Sequence, residues 1–239
     1  MMAAMKLLRE GLQELGFTLT DAETAQFGRY QELLLEWNQR FNLTAVRTPE
    51  GIQTRHFLDS LTCLLVTGEL NGRRLVDIGT GAGFPGLPLK IMQPGLAVTL
   101  VESVGKKATF LQAVVDELQL ESVEIVNARA EDLGQDPAHR AHYDWAVARA
   151  VAPLPVLLEY LLPFCRVGGV ALAQKGAQAA SELAEADRAL AVLGGGAVKL
   201  TEVSLAGQEN EAVLISVEKI RATPGEYPRR AGLPAKRPL

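Results

Sequence analysis

The chain has 239 residues, 48% of them apolar, and carries a net charge of −4 at pH 7. That is enough apolar side chain for one large domain, or a main domain with a small appendage. Two cysteines without metal spacing exclude a disulfide scaffold, and no apolar run reaches transmembrane length.

Residues 1–70 read as a helical extension. Met1 to Gly16 is an amphipathic helix with charges throughout and Leu7, Leu8, Leu12 and Leu15 on one face, unlike a signal peptide, so a cytoplasmic protein is expected. Thr20-Asp21-Ala22-Glu23 is a capping box that opens a helix with Phe27, Tyr30, Leu33, Leu34 and Trp37 at helical spacing. The polar run Asn38 to Thr44 ends it, and Thr48-Pro49 caps the next helix. Asn71-Gly72 marks the boundary turn.

From Arg74 strands and helices alternate. Strands are predicted at 74–78, 97–102, 123–126, 143–149, 169–174, 197–203 and 212–218, with helices at 86–92, 106–119, 154–162 and 177–193. Apolar strands in alternation with helices imply a parallel sheet covered on both faces. Only eight residues separate Val203 from Ala212, whereas a parallel crossover needs a dozen or more, so the last strand is antiparallel.

The first strand runs into Asp77-Ile78-Gly79-Thr80-Gly81-Ala82-Gly83-Phe84-Pro85-Gly86. Glycine lets a ligand lie against bare backbone, and such a turn at the carboxyl end of the first strand is where α/β proteins bind nucleotide-like ligands. Gly81 to Gly86 also fits a dinucleotide fingerprint, which points to an NAD-dependent oxidoreductase. Asp77 argues otherwise: a carboxylate there is ill suited to a pyrophosphate but suits a ligand with an ammonium group. The string Asp-x-Gly-x-Gly-x-Gly resembles motif I of the class I S-adenosylmethionine (SAM)-dependent methyltransferases, whose Rossmann-like, seven-stranded sheet also ends in an antiparallel strand.

Glu102 ends the second strand, 23 residues beyond Gly79, where it can accept both ribose hydroxyls of such a ligand or cap the following helix. The loop Asn127 to Asp132, with Ala130 and Glu131, lies where an adenine would sit; its carboxylates serve either the ring's edge or the solvent. Arg149 emerges from an apolar strand, a costly place for a cation unless it serves a ligand or a salt bridge. Lys175 is its counterpart at the end of the fifth strand, so that two cations would flank the substrate mouth. The His residues show no metal spacing. The final thirteen residues, Tyr227 to Leu239, hold Arg229, Arg230, Lys236 and Arg237 with no acid; they carry +4 and leave −8 on the remainder. Pro228, Pro234 and Pro238 argue against a regular helix or strand there, and a disordered terminus is one reading.

Taken together the chain resembles the bacterial small-subunit rRNA guanine-N7 methyltransferases. The resemblance is carried by Trp37-Asn38 with Asn42-Leu43-Thr44, by His56-Phe57-Leu58-Asp59-Ser60, and by the long glycine string with its Gly83-Phe84-Pro85-Gly86 extension. Arg149-Ala150, Gln174-Lys175-Gly176 and the tail Tyr227-Pro228-Arg229 complete it. It implies a three-part chain: helices over 1–70, a SAM-binding domain over 71–220 and a basic tail over 221–239. It further implies a monomer that methylates N7 of one guanine in the 530 loop of 16S rRNA, free or in the small ribosomal subunit, without a metal or a membrane. SAM contacts are implied at Gly79, Phe84, Glu102, Ala130, Glu131 and Arg149, to which the motif itself adds Asp77, Gly81 and Gly83. Arg149 and Lys175 would position the substrate, while Arg229, Arg230, Lys236 and Arg237 would face RNA phosphates. A non-catalytic SAM- or RNA-binding regulator on the same fold remains the alternative.

Overall fold

A computed structural model of the protein describes residues 5–204 and 212–239. The start of the predicted first helix and the link between the last two strands lie outside these residues.

The N-terminal helices follow their local signals. Lys6–Glu14 buries Leu8 and Leu12, and Asp21–Asn38 starts at the capping box, where Thr20 Oγ1 accepts from Glu23 N–H at 3.2 Å and Glu23 Oε2 from Thr20 N–H at 2.7 Å. Asn38 ends this helix by folding the next turn around its own carboxamide. Its Oδ1 accepts from Leu43 and Thr44 N–H, and its Nδ2 donates to Thr44 O. Thr48 caps Pro49–Ile52, and the backbone then widens into a π-helical turn, Gln53–Leu58, that buries His56 and Phe57. These helices have no core of their own: Leu8, Phe27 and Phe57 share one apolar cluster with Leu87, Leu89 and Leu100. They cover one face of the sheet.

The sheet has seven strands in the order β3-β2-β1-β4-β5-β7-β6. These are β1 (Arg74–Ile78), β2 (Ala97–Val101), β3 (Val123–Val126), β4 (Tyr143–Arg149), β5 (Cys165–Lys175), β6 (Gly195–Val203) and β7 (Ala212–Lys219). The first five are mutually parallel, and β7 is antiparallel to both β5 and β6. The last strand in sequence is therefore not the edge of the sheet; it inserts between its two predecessors. The other face buries Val156, Leu157 and Leu161 of the helix Leu154–Leu161 against Ala146, Ala148 and Ala171. The helix expected over 177–193 is two, Ala179–Ala184 and Asp187–Leu193. The break between them turns Ala186 and Ala189 into the second core. The short helix Ala130–Leu133 fills the polar link after β3.

Residues 221–239 differ from their expected irregularity. A short helix, Leu233–Lys236, forms with Pro234 in its first turn, where a proline lacks nothing the helix needs. The segment before it is held to the fold. Arg140 donates to the carbonyls of Tyr227, Thr223 and Pro224, and Gln135 Nε2 donates to Pro228 O.

Candidate functional site

Two clefts open at the carboxyl edge of the parallel strands, on either side of the residues that leave β4. The first is built on the glycine turn. Gly79 and Thr80 N–H both donate to Val101 O, lashing the turn to the end of β2. Asp77 is 0% exposed, and its Oδ2 accepts from Thr80 Oγ1 at 2.6 Å and Gly86 N–H at 2.8 Å. Its immediate partners are thus within the turn. Burial holds its carboxyl up to about 6 despite those two bonds. The other oxygen, Oδ1, is buried with no partner, an unsatisfied acceptor. From the far side Tyr30 of the N-terminal helix donates its hydroxyl to Ala82 O.

Glu102 is buried and doubly engaged. Oε2 accepts from Gly81 N–H at 3.0 Å, and Oε1 accepts from Val104 N–H at 2.8 Å at the start of the helix Gly105–Glu117. The capping role therefore holds for one oxygen. Each oxygen keeps a second lone pair for a ligand hydroxyl. Past Glu102 a slot of about 100 Å³ runs between Gly79, Ala128, Ala130, Glu131, Val151 and Tyr160. It is narrow because Val151 leans over the turn: a β-carbon on Gly79 would meet Val151 Cγ2 at 2.8 Å. Ala150, which sets that course, holds a positive φ of 54°. Burial and the neighbouring Glu131 push the Tyr160 hydroxyl up to about 12. Glu131 is not a solvated loop residue; it is buried, and its Oε1 accepts from Gly232 N–H in the tail.

The second cleft, of about 560 Å³, lies between the π-helical turn and the ends of β4 and β5. Arg149 is its centre. Nη1 donates to Asp59 Oδ2 at 2.8 Å and Arg55 O at 3.0 Å, Nη2 donates to His56 Nδ1 at 3.2 Å, and the guanidinium lies 5.0 Å from the Phe84 ring centroid. His56 stacks on the same ring at 4.5 Å. Phe84 is buried, so its ring serves this stack and not the slot. Nδ1 of His56 lies between the guanidinium, which can only donate, and Arg55 O at 3.1 Å, which can only accept, while Nε2 faces Thr44 Oγ1 at 2.7 Å. Burial first, then Arg149, pull His56 down to about 4, leaving the ring neutral at pH 7. Burial raises Asp59, against the pull of Arg149. Gln174 Nε2 donates to Asp59 O and keeps the pair in place.

Lys175 also borders this cleft, but it is paired. Its Nζ meets Glu182 Oε2 at 2.6 Å and donates to Ala152 O at 2.7 Å, and the side chain is largely buried. Both cations of the expected mouth are present, each beside a carboxylate. The strings Asn38 to Thr44, His56 to Asp59, Arg149 and Gln174-Lys175, far apart in sequence, converge here. Sequence reasoning does not reach Asn38, Thr44, His56, Asp59 and Gln174 as site residues. Their signal is a polar or charged residue recurring among apolar ones, which by itself does not say what it faces.

The tail departs furthest from expectation. Arg229 points inward onto Glu159 with two parallel bonds at 2.6 and 2.9 Å, and Glu159 is wholly buried. Arg229 is thereby withdrawn from phosphates, whereas Arg230, Lys236 and Arg237 are exposed. Among the described residues no cluster of His, Cys, Asp or Glu is arranged to hold a metal, and no helix is long and apolar enough to cross a membrane.

The sequence profile described as rRNA small subunit methyltransferase G matches residues 23–212. The chain belongs to that family. It is 45% identical over 238 residues, the full length of both chains, to the ribosomal RNA small subunit methyltransferase G of Alkaliphilus metalliredigens. It is 51% identical over 224 residues to that of Roseiflexus castenholzii, covering 94% of this chain and 95% of the other. The fold is that of the class I SAM-dependent methyltransferases. A geranyl diphosphate C-methyltransferase from Streptomyces coelicolor, solved with S-adenosyl-L-homocysteine, superposes with a TM-score of 0.54 at 15% identity, over 80% of this chain and 98% of that one. M. jannaschii TYW2, solved with AdoMet, gives 0.52 at 14% identity, over 69% and 76%. Membership of a methyltransferase family sets aside the nicotinamide reading of the glycine turn. The residues fit a SAM-type ligand: a turn of bare backbone, an unsatisfied buried carboxylate oxygen beneath it, Glu102 with spare lone pairs, and a slot of mixed polarity ending at Glu131.

Proposed function

We propose that the protein methylates N7 of one guanine in the 530 loop of 16S rRNA, in the cytoplasm, by in-line displacement without a general base. S-adenosylmethionine, when bound, supplies an electrophilic methyl group on a sulfonium. Its holders on this reading are the backbone of Gly79, Gly81 and Gly83, Glu102 at the ribose hydroxyls, and Ala130 with Glu131 at the adenine edge. Asp77 keeps the turn in shape and lends it negative charge; Phe84 acts indirectly, through the stack that seats Arg149.

One observation carries the proposal. Most of the strings that carry the family resemblance meet around Arg149, between the slot and the larger cleft, and none of them offers a poised proton acceptor. His56 is neutral but already engaged at both ring nitrogens. Guanine N7 has an in-plane lone pair and no proton, so it asks for alignment alone, which supplies roughly 7–11 kcal/mol where two reactants are held in line. Methylation leaves the base cationic. An unpaired arginine against N7 would oppose that charge, whereas Arg149 arrives with Asp59 and Lys175 with Glu182, so both can hold O6 or a phosphate. The relatives' names supply the substrate class, small-subunit rRNA.

Nucleoside mass spectrometry of 16S rRNA from cells with and without the gene tests it. The expected result is loss of one N7-methylguanosine on deletion; its retention overturns the proposal in favour of a non-catalytic regulator. A single-turnover rate that is nearly flat from about pH 6.5 to 8.5 checks the missing base. A tenfold rise per pH unit, with SAM saturating, would indicate a different target atom.

A further inference from the structure

A third concavity lies outside both clefts, at the junction of the helix Asp21–Asn38 with the helix Gly105–Glu117. It measures about 310 Å³ and is lined by Glu36, Trp37, Arg40, Phe41, Lys106 and Thr109. We propose that this groove is a stacking subsite for an unpaired RNA base neighbouring the methylated guanine, with Arg40 and Lys106 holding the adjoining phosphates. The inference rests on the rRNA reading above and adds a place where the strand is gripped.

The rings are fixed from within. Trp37 packs on the buried Phe110 at 5.6 Å between centroids and on Phe41 at 5.7 Å, and both groove rings remain half-buried. Phe41 lies just past the helix end, its N–H on Trp37 O. Lys106 Nζ stands 5.7 Å from the Phe41 ring centroid. A fixed aromatic platform with a mobile cation beside it is what sequence-tolerant base stacking uses.

The charges point the same way. Arg29, Arg149, Lys175 and Arg229 each sit on a carboxylate, but no carboxylate pairs with Arg40 or Lys106 among the described residues. Lys106 and Lys107 fall in the first turn of their helix, which holds no acid, so neither is placed to favour the helix dipole. Glu36 is the one acid in the lining and offers an acceptor to a base's exocyclic amine. Single-stranded RNA is recognised through such unstacked bases, whereas a duplex hides them.

The location is also suitable. Lys106 lies in the first turn of the helix whose start Glu102 holds, and Asn38, directly beyond Trp37, anchors the turn that carries Thr44 to His56. Groove, slot and large cleft therefore share one edge of the sheet.

The test is the affinity of the full-length protein for a fluorescein-labelled single-stranded RNA hexamer and for an abasic ribose-phosphate strand of the same length. The RNA should bind more tightly than the abasic strand. Phe41→Leu should weaken RNA about five- to 150-fold, towards the abasic level, and leave abasic binding unchanged. Arg40→Gln with Lys106→Gln, on exposed side chains, should weaken both strands and flatten the salt dependence by about 0.7 for each phosphate no longer neutralised. Equal binding of the two strands by the wild-type protein overturns the stacking subsite, as does a Phe41→Leu protein that binds RNA like wild type. If Phe41→Leu fails to fold, the comparison of strands and the double variant still decide. Wild-type protein that methylates 16S rRNA yet treats both strands alike removes the groove and leaves the function. Stacking without methylation does the reverse.

Discussion

Arg229 closes two parallel hydrogen bonds onto Glu159, seventy residues away on a helix whose other side chains, the Tyr160 hydroxyl apart, are apolar. The carboxylate has no exposure, and Arg229 also sends its own N–H to Glu159 Oε1 at 2.8 Å. Three residues on, Gly232 N–H reaches Glu131, which walls the slot. The tail is therefore wired to the slot through its backbone. Arg229→Ala strands a buried carboxylate, and removing one partner of a buried pair costs about 3–5 kcal/mol. The expected outcome is a lower urea midpoint together with weaker SAM binding by calorimetry, as Gly232 loosens from Glu131. Unchanged stability would mean the tail is held elsewhere.

The remaining cations of the tail are free of this duty. Arg230, Lys236 and Arg237 are exposed, and neutralising all three should leave the urea midpoint and SAM affinity close to wild type. RNA affinity should fall, and its salt dependence should flatten by about 0.7 for each single-strand phosphate that loses its cation. If filter binding across a salt series shows the wild-type slope, these side chains do not meet RNA.

The strands were legible because each is a short apolar run bounded by turn residues, and β1, β3 and β4 lie where the pattern places them. The insertion of β7 between β5 and β6 was not, since the eight-residue link requires an antiparallel pair without saying which side of β6 the pair occupies. The glycine turn was legible in place and less so in its wiring. Asp77 reads as a ligand residue but spends one oxygen on Thr80 and Gly86. The tail was misleading for a physical reason: four cations without an acid read as a solvent-facing patch, and Glu159, the single acid of an otherwise apolar helix, was the overlooked partner. His56, Asp59 and Gln174 illustrate the same limit, because their roles arise only when the π-helical turn meets the ends of β4 and β5.

Two glycines of the turn should separate folding from ligand binding. Gly83 has a φ of 100°, and a β-carbon there would strike Leu87 Cδ1 and the Tyr30 hydroxyl, each at 2.5 Å. Gly81 has a φ of 63° and open space, with Gly79 O the nearest atom at 3.9 Å. Gly81→Ala should cost only the left-handed strain of about 1–2 kcal/mol and abolish most SAM binding. Gly83→Ala should destabilise the protein more, since Tyr30 must leave Ala82. Thermal melts with calorimetry check this. Normal SAM affinity in a folded Gly81→Ala protein would place the ligand away from the turn.

Acid stability should reveal His56 and Asp77 as opposing groups. His56 has a folded value of about 4 against 6.5 when unfolded, so the unfolded chain takes up its proton first. Its contribution is complete above pH 6.5 and is lost as pH falls towards 4. Asp77 has a folded value of about 6 against 3.8, so the native state keeps its proton through that window. Its contribution is complete below pH 3.8 and is lost as pH rises through 6; Asp59, also raised by burial, acts in the same sense. Each shift corresponds to about 3 kcal/mol, and between pH 4 and 6 the two slopes largely cancel. Asp77→Asn removes the larger part of the opposition to His56: the variant should lose about 2 kcal/mol more than wild type when urea unfolding is moved from pH 6.5 to pH 4.5. His56→Gln should do the opposite and gain stability on acidification relative to wild type. Parallel pH profiles for all three proteins would show that neither side chain titrates where its burial places it.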